Sequence, residues 1–424
     1  MKRLFLLLAV LVIAGPVFAG GGGEASSGGS ASGVQPVKIA FYGSISGVNS
    51  ESGRQGMLAV KAAQQYVNEN GGIKALGGAP IEIVPIDGTS DSAQGVLPLE
   101  RALSAGGISG IVGSAQSAFA LISLPILQKY RVPAVTASAA NGTITQKGCE
   151  FIFQPAAKAA QFSPMQLDFL RFIAPKMGKT VSDLKFAIVF ENSAWGEDNA
   201  KANSRDLSEA GLTIAVNENY EAGKLSDASP IVTKMKNAGV DVVFPSCYAN
   251  DAKLLMTAMN AMKYKPIIIA GGSAFTWPSL LNDLGQDVNG ICSADGWVWD
   301  TKPTLEFAEF TKIRERYERE NGEFIPGQGG PSIISFMLIV EAIENGKSAD
   351  SVSVRDELRK LNADNSAWFK AYSTGRGSFD NSGHNAGSVP VILQWQNEKP
   401  RCVYPPEAAS ADVMDPLTLK PFAK

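Results

Sequence analysis

The sequence has one histidine, His384, in 424 residues. A Ser–His or Cys–His nucleophile would depend on this residue alone. It lies in a loop rich in Gly, Asn and Ser, and we expect it on the surface. The motifs GxSxG, HExxH and GxxxxGK[ST] do not occur in the chain either. We therefore expect a protein that is not an enzyme and that uses no cofactor.

Cysteine is also scarce. The four cysteines, Cys149, Cys247, Cys292 and Cys402, are far apart and form no CxxC pair, which argues against a metal cage. An oxidising compartment would permit disulfides, and four cysteines allow three connectivities that the sequence does not rank. Our working choice is a bond between Cys292 and Cys402.

Charge of one sign is not concentrated anywhere. The chain has 38 Lys and Arg against 41 Asp and Glu, a formal net charge of −3, with no basic stripe. Nucleic acid and anionic membrane surfaces are therefore poor candidate partners. No segment after the first 19 residues is apolar enough to cross a bilayer.

The first 19 residues have the pattern of a secretory signal peptide. Lys2 and Arg3 precede the apolar stretch 4–14, and Val17-Phe18-Ala19 forms a small-x-small cleavage site. Residues 20–36 are rich in Gly and Ser, which indicates a flexible tether. No cysteine near the cleavage site could take a lipid. We predict an exported, soluble protein in the periplasm or another extracytoplasmic space.

Residues 108–145 read as one βαβ unit with a polar loop after each strand. An apolar strand ends at Gly113, a helix covers 119–130, and a second strand covers 132–136. Ser117, Ser138 and Asn141 lie in loops of small residues, where helix N-termini and backbone N–H groups can hold a carboxylate. Any βαβ unit needs small residues at its turns, so the alternative that these loops have a purely structural role stays open.

The remaining chain repeats the same alternation of strands that are apolar on both faces with helices, which indicates parallel sheets covered by helices. The number of βα units predicts two doubly wound α/β domains. Further strands are predicted at 37–43, 81–87, 151–154, 185–191, 212–217, 240–246, 266–272 and 390–396. Further helices are predicted at 54–70, 161–177, 197–210, 227–238, 250–262, 303–321, 331–345 and 352–361, with one from Asp91 towards Gly106.

Trp195, Tyr248 and Ser273 follow strands of the second half, where aromatic rings could enclose a small solute. For both aromatic residues, ordinary surface or hinge packing is an equal alternative. Trp297 and Trp299 lie near a chain crossover, and we interpret them as hinge packing. Asp87 ends a strand and fits a turn cap better than an acid or base.

Several motifs in order resemble the type I periplasmic solute-binding proteins of ABC importers, in the leucine/isoleucine/valine-binding group. They are KIAFYGSISG (38–47), VNENGGIK (67–74), ASAANGTITQKGCEFIFQ (137–154), ENSAWGED (191–198) and DVVFPSCYANDA (241–252). Each motif is loose, but their order and spacing together are fairly specific. The resemblance covers residues 37–405.

The resemblance implies two α/β lobes joined by a three-strand hinge and closing on a ligand. Lobe 1 would be 37–156 with 294–375, and lobe 2 would be 157–293 with 376–424. By the same resemblance the ligand carboxylate would bind Ser117 and the loop Ser138, Ala139 and Ala140. Trp195 and Tyr248 would cover the ligand.

Two positions depart from the family pattern. Ala140 replaces a common hydroxyl residue, and Gly271-Gly272-Ser273 stands where the family places a carboxylate that binds the ligand ammonium. Asp295 or Asp251 could supply the missing charge; otherwise the ligand is another small carboxylate or an amide.

The resulting hypothesis is a monomeric extracytoplasmic protein that binds an amino acid, of the branched-chain type, or a related small carboxylate or amide. It would deliver this ligand to an ABC permease in the inner membrane. The alternatives are a sensing module for a partner receptor and, with less support, an exported hydrolase.

Overall fold

The computed structural model describes residues 34–422, and within this range the side chain of Ser273 is not described. The predicted signal peptide and most of the predicted tether lie outside the described residues. The first part of the described chain forms a five-stranded parallel sheet in the order β2-β1-β3-β4-β5. Its elements are β1 (Val37–Gly43), α1 (Ser50–Glu69), β2 (Ile81–Asp87), α2 (Ser92–Ser104), β3 (Ile108–Gly113), α3 (Ser117–Tyr130), β4 (Ala134–Val135) and β5 (Ile152–Phe153).

Small residues bring α1 close to this sheet. Ala59 and Ala63 are fully buried, and a Cβ at Gly56 would lie 2.8 Å from the ring of Phe41 on β1. A larger residue at this position would push the helix away from the strand. The helix α2 begins as predicted, because the Asp91 carboxylate accepts a hydrogen bond from the N–H of Ala93 at 2.9 Å.

The chain then forms a seven-stranded sheet in the order β12-β11-β10-β9-β8-β6-β7. Strands β6 to β10 are parallel to one another, whereas β11 runs antiparallel to both of its neighbours, β10 and β12. The elements up to β10 are α4 (Ala159–Ile173), β6 (Lys185–Glu191), α5 (Ala194–Glu209), β7 (Thr213–Tyr220), α6 (Ser229–Ala238), β8 (Val242–Ser246), α7 (Ala249–Ala261), β9 (Ile267–Gly271), α8 (Pro278–Leu284) and β10 (Cys292–Asp295).

After β10 the chain returns to the first sheet, where α11 packs against α1 and β3 and α12 packs against β3. It then crosses back to add the last two strands to the second sheet. These elements are α9 (Lys302–Leu305), α10 (Ala308–Asn321), α11 (Gly329–Gly346), α12 (Ser351–Leu358), α13 (Ala367–Lys370), β11 (Val391–Gln396) and β12 (Lys399–Tyr404). The two parallel-sheet regions confirm the predicted fold class.

Three linking segments, residues 154–158, 296–301 and 371–390, join the two sheet regions. Two of them pair directly, because the N–H of Gln154 donates to the carbonyl of Gly383 at 2.8 Å and that of Asn385 donates to the carbonyl of Gln154 at 2.9 Å. The predicted hinge packing of the tryptophans fits this region. Trp297 Nε1 donates to the carbonyl of Ala371 at 3.1 Å, and Trp299 Nε1 donates to that of Pro400 at 2.8 Å.

The prediction of one helix over 303–321 is wrong. The chain forms α9 and α10 with a break at Phe307, whose backbone is extended. The ring of Phe307 packs edge-on against Trp368, with 4.7 Å between the ring centroids. This apolar contact outweighs the helical propensity of the surrounding charged residues.

Two strands of the second sheet were not predicted. The strand β10 has the sequence CSAD, which has no β-branched or aromatic residue, although all four residues are buried. The strand β12 contains Lys399 and Pro400 and lies at the sheet edge, where proline is tolerated. Both strands depend on pairing with β11 rather than on local propensity.

The predicted bond between Cys292 and Cys402 is wrong, because all four cysteines are free thiols. Cys292 lies on β10 and Cys402 on β12, with β11 between them. Two strand spacings amount to about 9–10 Å, which exceeds the Cα separation of about 7 Å that a disulfide can span. Among the described residues, no helix is long and apolar enough to span a membrane.

We expect close to four reactive thiols per chain when the purified protein is unfolded in denaturant without reductant. Native protein should react more slowly, since Cys247, Cys292 and Cys402 are buried and burial raises the pKa of each thiol. Thiol titration with a chromogenic disulfide reagent checks this count. Two thiols per unfolded chain would show that a disulfide has formed.

Candidate functional site

Two loops at the carboxyl end of the first sheet are tied together by hydrogen bonds. Ser117 is the first residue of α3, and its Oγ accepts the backbone N–H of Asn141 at 3.1 Å. Gln154 Nε2 donates to the carbonyl of Ala139 at 2.8 Å and to that of Asn141 at 3.2 Å. These contacts bring the predicted residues Ser117 and Ala139 into one place and hold the loop that contains them.

The same place contains hydrogen-bond donors suited to an anion. In its bond to Asn141 the Ser117 hydroxyl is an acceptor, so its own proton can be donated. Ser138 Oγ is buried and has no hydrogen-bond partner among the described residues. The described backbone bonds do not use the N–H of Ala139 or Ala140. The first turn of α3 adds unpaired N–H groups and a positive dipole end.

Trp195 and Tyr248 lie together at the carboxyl end of the second sheet, with 5.4 Å between their ring centroids. Trp195 is in the first turn of α5, and Tyr248 precedes α7. A Cβ at Gly272 would lie 2.9 Å from Cζ2 of Trp195, so only glycine leaves room for the indole. The backbone of Ser273 follows this glycine, but its side chain lies outside the described atoms.

A buried carboxylate holds the turn that places Trp195. Glu191 is fully buried, and its carboxylate accepts the N–H and the hydroxyl of Ser193. Ser193 Oγ in turn accepts the N–H of Trp195 at 3.3 Å, which caps α5. Burial raises the pKa of Glu191 to about 7 and outweighs its hydrogen bonds from Ser193. Sequence reasoning missed this residue, although a carboxylate at a strand end was a usable signal.

The two acids that could replace the missing charge lie in different surroundings. Asp251 is in the first turn of α7 and is buried near Tyr220; burial raises its pKa to about 6, partly offset by Tyr220 and the N–H of Tyr248. Asp295 is the last residue of β10, one position beyond the pair Ala294–Gly271. Continued by one position, this register places Asp295 beside Gly272, next to the position that lacks the carboxylate.

The two halves of the candidate site meet directly. Asn141 Nδ2 donates to the carbonyl of Ala194 at 2.8 Å, and the N–H of Gly142 donates to Asp198 Oδ2 at 2.9 Å. One partner of each bond follows β4 and the other lies on α5, so the bonds join the two sheet regions. The structure is thus closed along this edge. Sequence reasoning did not find Asp198, because its partner lies 56 residues away.

Two other predicted residues lie outside this site. Asp87 accepts hydrogen bonds from the backbone N–H groups of Ile45, Ser46 and Thr89 and from the Ser46 hydroxyl, as a turn cap would. The expectation that His384 is a surface residue is wrong. It is only 8% exposed, since it bridges to Gln154 between two linking segments. Burial, and then the charge of Lys158, lowers the pKa of His384 to about 4, so it is neutral at pH 7.

Within the described residues, no group of three or more His, Cys, Asp or Glu side chains could hold a metal ion. The arrangement is instead typical of a binding site for a small molecule. One side offers N–H and hydroxyl donors, and the other offers two aromatic rings and a buried carboxylate.

The chain belongs to the periplasmic binding protein family, whose model matches residues 36–399. It is 28% identical over 384 residues to the Leu/Ile/Val-binding protein homolog 7 of Brucella suis biovar 1, covering 89% of this chain and 92% of that protein. These matches confirm the resemblance found in the sequence motifs.

Solved structures share the fold. The branched-chain amino acid transporter substrate-binding protein LivJ of Streptococcus pneumoniae, in complex with isoleucine, superposes with a TM-score of 0.73 at 20% identity and covers 88% of this chain and 100% of that chain. A solute-binding protein of an ABC transporter from R. palustris, in complex with 4-hydroxybenzoate, gives a TM-score of 0.71 at 20% identity, covering 90% and 98%. Structures with this fold therefore hold ligands both with and without an ammonium group.

Replacing Asp198 with alanine should loosen the closed form, because Gly142 loses its charged acceptor. For a half-buried bond we expect a loss of about 0.5–1.5 kcal/mol, which raises the open fraction about 2- to 12-fold. Hydrogen exchange of the Asn141 side-chain amide, which keeps its acceptor Ala194 in the variant, should accelerate by that factor in ligand-free protein. The neighbouring exposed residue Glu197, changed to alanine, serves as the control. Equal exchange in both variants would contradict the role of this contact.

Proposed function

We propose that the chain is the extracytoplasmic substrate-binding protein of an ABC transporter. It binds an amino acid of the branched-chain type, or a related small carboxylate, between two lobes and delivers it to a membrane permease. The lobes are 37–156 with 294–375 and 157–293 with 376–424. The signal-peptide pattern of residues 1–19 supports export, and the tether of residues 20–36 would leave the binding domain free in the periplasm.

One observation carries this proposal. The unused donors around Ser117 and Ser138 and the aromatic pair Trp195 and Tyr248 belong to different sheet regions, and hydrogen bonds close the gap beside them. Such a ligand site exists only when the two regions are together. A ligand that contacts both of them therefore stabilises the closed form by its differential affinity.

The groups on each side define the ligand chemically. Hydroxyl and N–H donors at a helix N-terminus favour a carboxylate, and the tilted pair of aromatic rings favours an apolar body of a few carbon atoms. Gly272 offers no charge where the family places a carboxylate, and this favours a second candidate class, small aromatic or aliphatic acids without an ammonium group. The relative that binds 4-hydroxybenzoate shows that the fold accommodates such acids.

A thermal-shift screen of the mature protein tests the proposed function. The panel should contain the branched-chain and other amino acids, small aliphatic acids, hydroxybenzoates and amides. A ligand that binds only the native state raises the melting temperature, and at 100 times its Kd it adds about 2.7 kcal/mol. We expect at least one amino acid or small carboxylate to do so. No shift with any compound, confirmed by calorimetry, would contradict the proposal.

Replacing Ser117 with alanine should weaken binding of the ligand found in that screen by about 1–3 kcal/mol, since the ligand carboxylate loses a hydroxyl donor. Calorimetry measures the change. Ser123 on the same helix donates to the carbonyl of Ala120 at 2.7 Å and is also buried, so Ser123→Ala is a matched control with unchanged affinity. Equal affinities of wild type and Ser117→Ala would remove this residue from the site.

A further inference from the structure

Asp295 stands at the edge where the two sheet regions meet. It ends β10, and in the parallel register with β9 it lies beside Gly272. The ring of Trp195 packs on this same glycine. The hydroxyl of Ser293 contacts both the N–H and the carbonyl of Gly272 and ties the two strand ends together. Asp295 and the aromatic ring of Trp195 therefore both border the backbone at Gly272.

The side chain of Asp295 is buried and incompletely bonded. The residue is 4% exposed, and its Oδ2 has no hydrogen-bond partner among the described residues. Asp300, a few residues further on, is fully buried but accepts bonds from Arg401 Nε at 2.6 Å, the N–H of Cys402 at 2.9 Å and the hydroxyl of Ser410. This difference matters, because burying a carboxylate that lacks a cation or a full set of hydrogen-bond donors costs free energy.

The free oxygen lies close to the segment that leads into α11. A Cβ at Gly327 would lie 2.9 Å from Asp295 Oδ2 and 2.7 Å from Thr276 Oγ1. Gly327 lies just before α11, the helix that packs on the first sheet. A side chain at position 327 would clash with both oxygens, so only glycine lets the segment before α11 approach the Asp295 carboxylate this closely. Asp295 is therefore buried between the end of β10 and a segment that leads into a helix packed on the first sheet.

We propose that Asp295 binds the ammonium group of the ligand and so selects amino acids over acids that lack a nitrogen. This inference rests on the proposed function and names the ligand class within it. A charge-assisted N–H···O bond would supply the partner that Oδ2 lacks. The ligand carboxylate would lie at the Ser117 loop, across the gap.

The alternative partner for the carboxylate is a proton. Burial raises the pKa of Asp295 to about 7, against the stabilising N–H groups of Gly296 and Trp297, and no charged side chain contributes to the shift. The neighbours on the other side are the Thr276 hydroxyl and the backbone of Gly327. Closure around an acid without an ammonium group should therefore take up a proton near pH 7, whereas closure around an amino acid should not.

Calorimetry with L-leucine and with 4-methylpentanoate, which is the same molecule without its amino group, tests whether Asp295 binds the ligand ammonium. We expect wild type to bind leucine at least tenfold more tightly. Asp295→Asn should weaken leucine binding about 10- to 150-fold and change 4-methylpentanoate binding by less than threefold. Asp287→Asn removes one exposed carboxylate from the same half of the chain and is the control for charge.

Proton linkage keeps the proposal testable if Asp295→Asn does not fold. Wild-type titrations at pH 7 in phosphate and in Tris report proton uptake from the difference in apparent enthalpy. We expect uptake with 4-methylpentanoate and none with leucine. The assignment of Asp295 to the ligand ammonium is overturned if Asp295→Asn binds leucine like wild type. It is also overturned if the protein takes up a proton when leucine binds. Wild type that binds only acids without nitrogen overturns it too, whereas failure to bind any compound of the wider screen overturns the proposed function itself.

Discussion

The closed arrangement depends on the contact between the loop after β4 and the N-terminus of α5. Asn141 and Gly142 donate to Ala194 and Asp198, and Ser117 holds Asn141 from the first sheet. Each bond is modest by itself. Together they hold the loop that carries the donors of one sheet region against the helix that carries Trp195 in the other.

Parallel strands explain why the site forms where it does. The carboxyl ends of β3 and β4 on one side, and of β6, β8, β9 and β10 on the other, deliver loops to the facing edges of two sheets. The strand ends carry buried acids of different roles. Glu191 is satisfied by Ser193 and builds the turn before Trp195, whereas Asp295 retains a free oxygen. Both carboxylates are buried, so burial alone does not separate a structural role from a role in binding. The hydrogen-bonding capacity that each carboxylate has left is what separates them.

Much of this architecture was predictable from local pattern. Strands such as β1 and β6 are continuous apolar runs, and Asp91 and Gly239 mark helix ends in agreement with their capping geometry. Ser117, Ser138, Trp195 and Tyr248 were predicted as site residues because each follows a strand. The failures share one cause, since β10, β12 and the break at Phe307 are set by pairing and packing with distant residues. The burial of His384 likewise depends on Gln154, 230 positions earlier in the chain.

In the proposed mode of binding, both sheet regions hold one small molecule at once, one by its acidic end and the other by its opposite end. A crystal structure with the ligand identified by screening tests this most directly. We expect the ligand carboxylate within hydrogen-bond distance of Ser117 Oγ and of the Ala139 or Ala140 N–H, with the body of the ligand against Trp195 and Tyr248. A ligand bound to one sheet region only, or with its carboxylate turned towards Trp195, would contradict it.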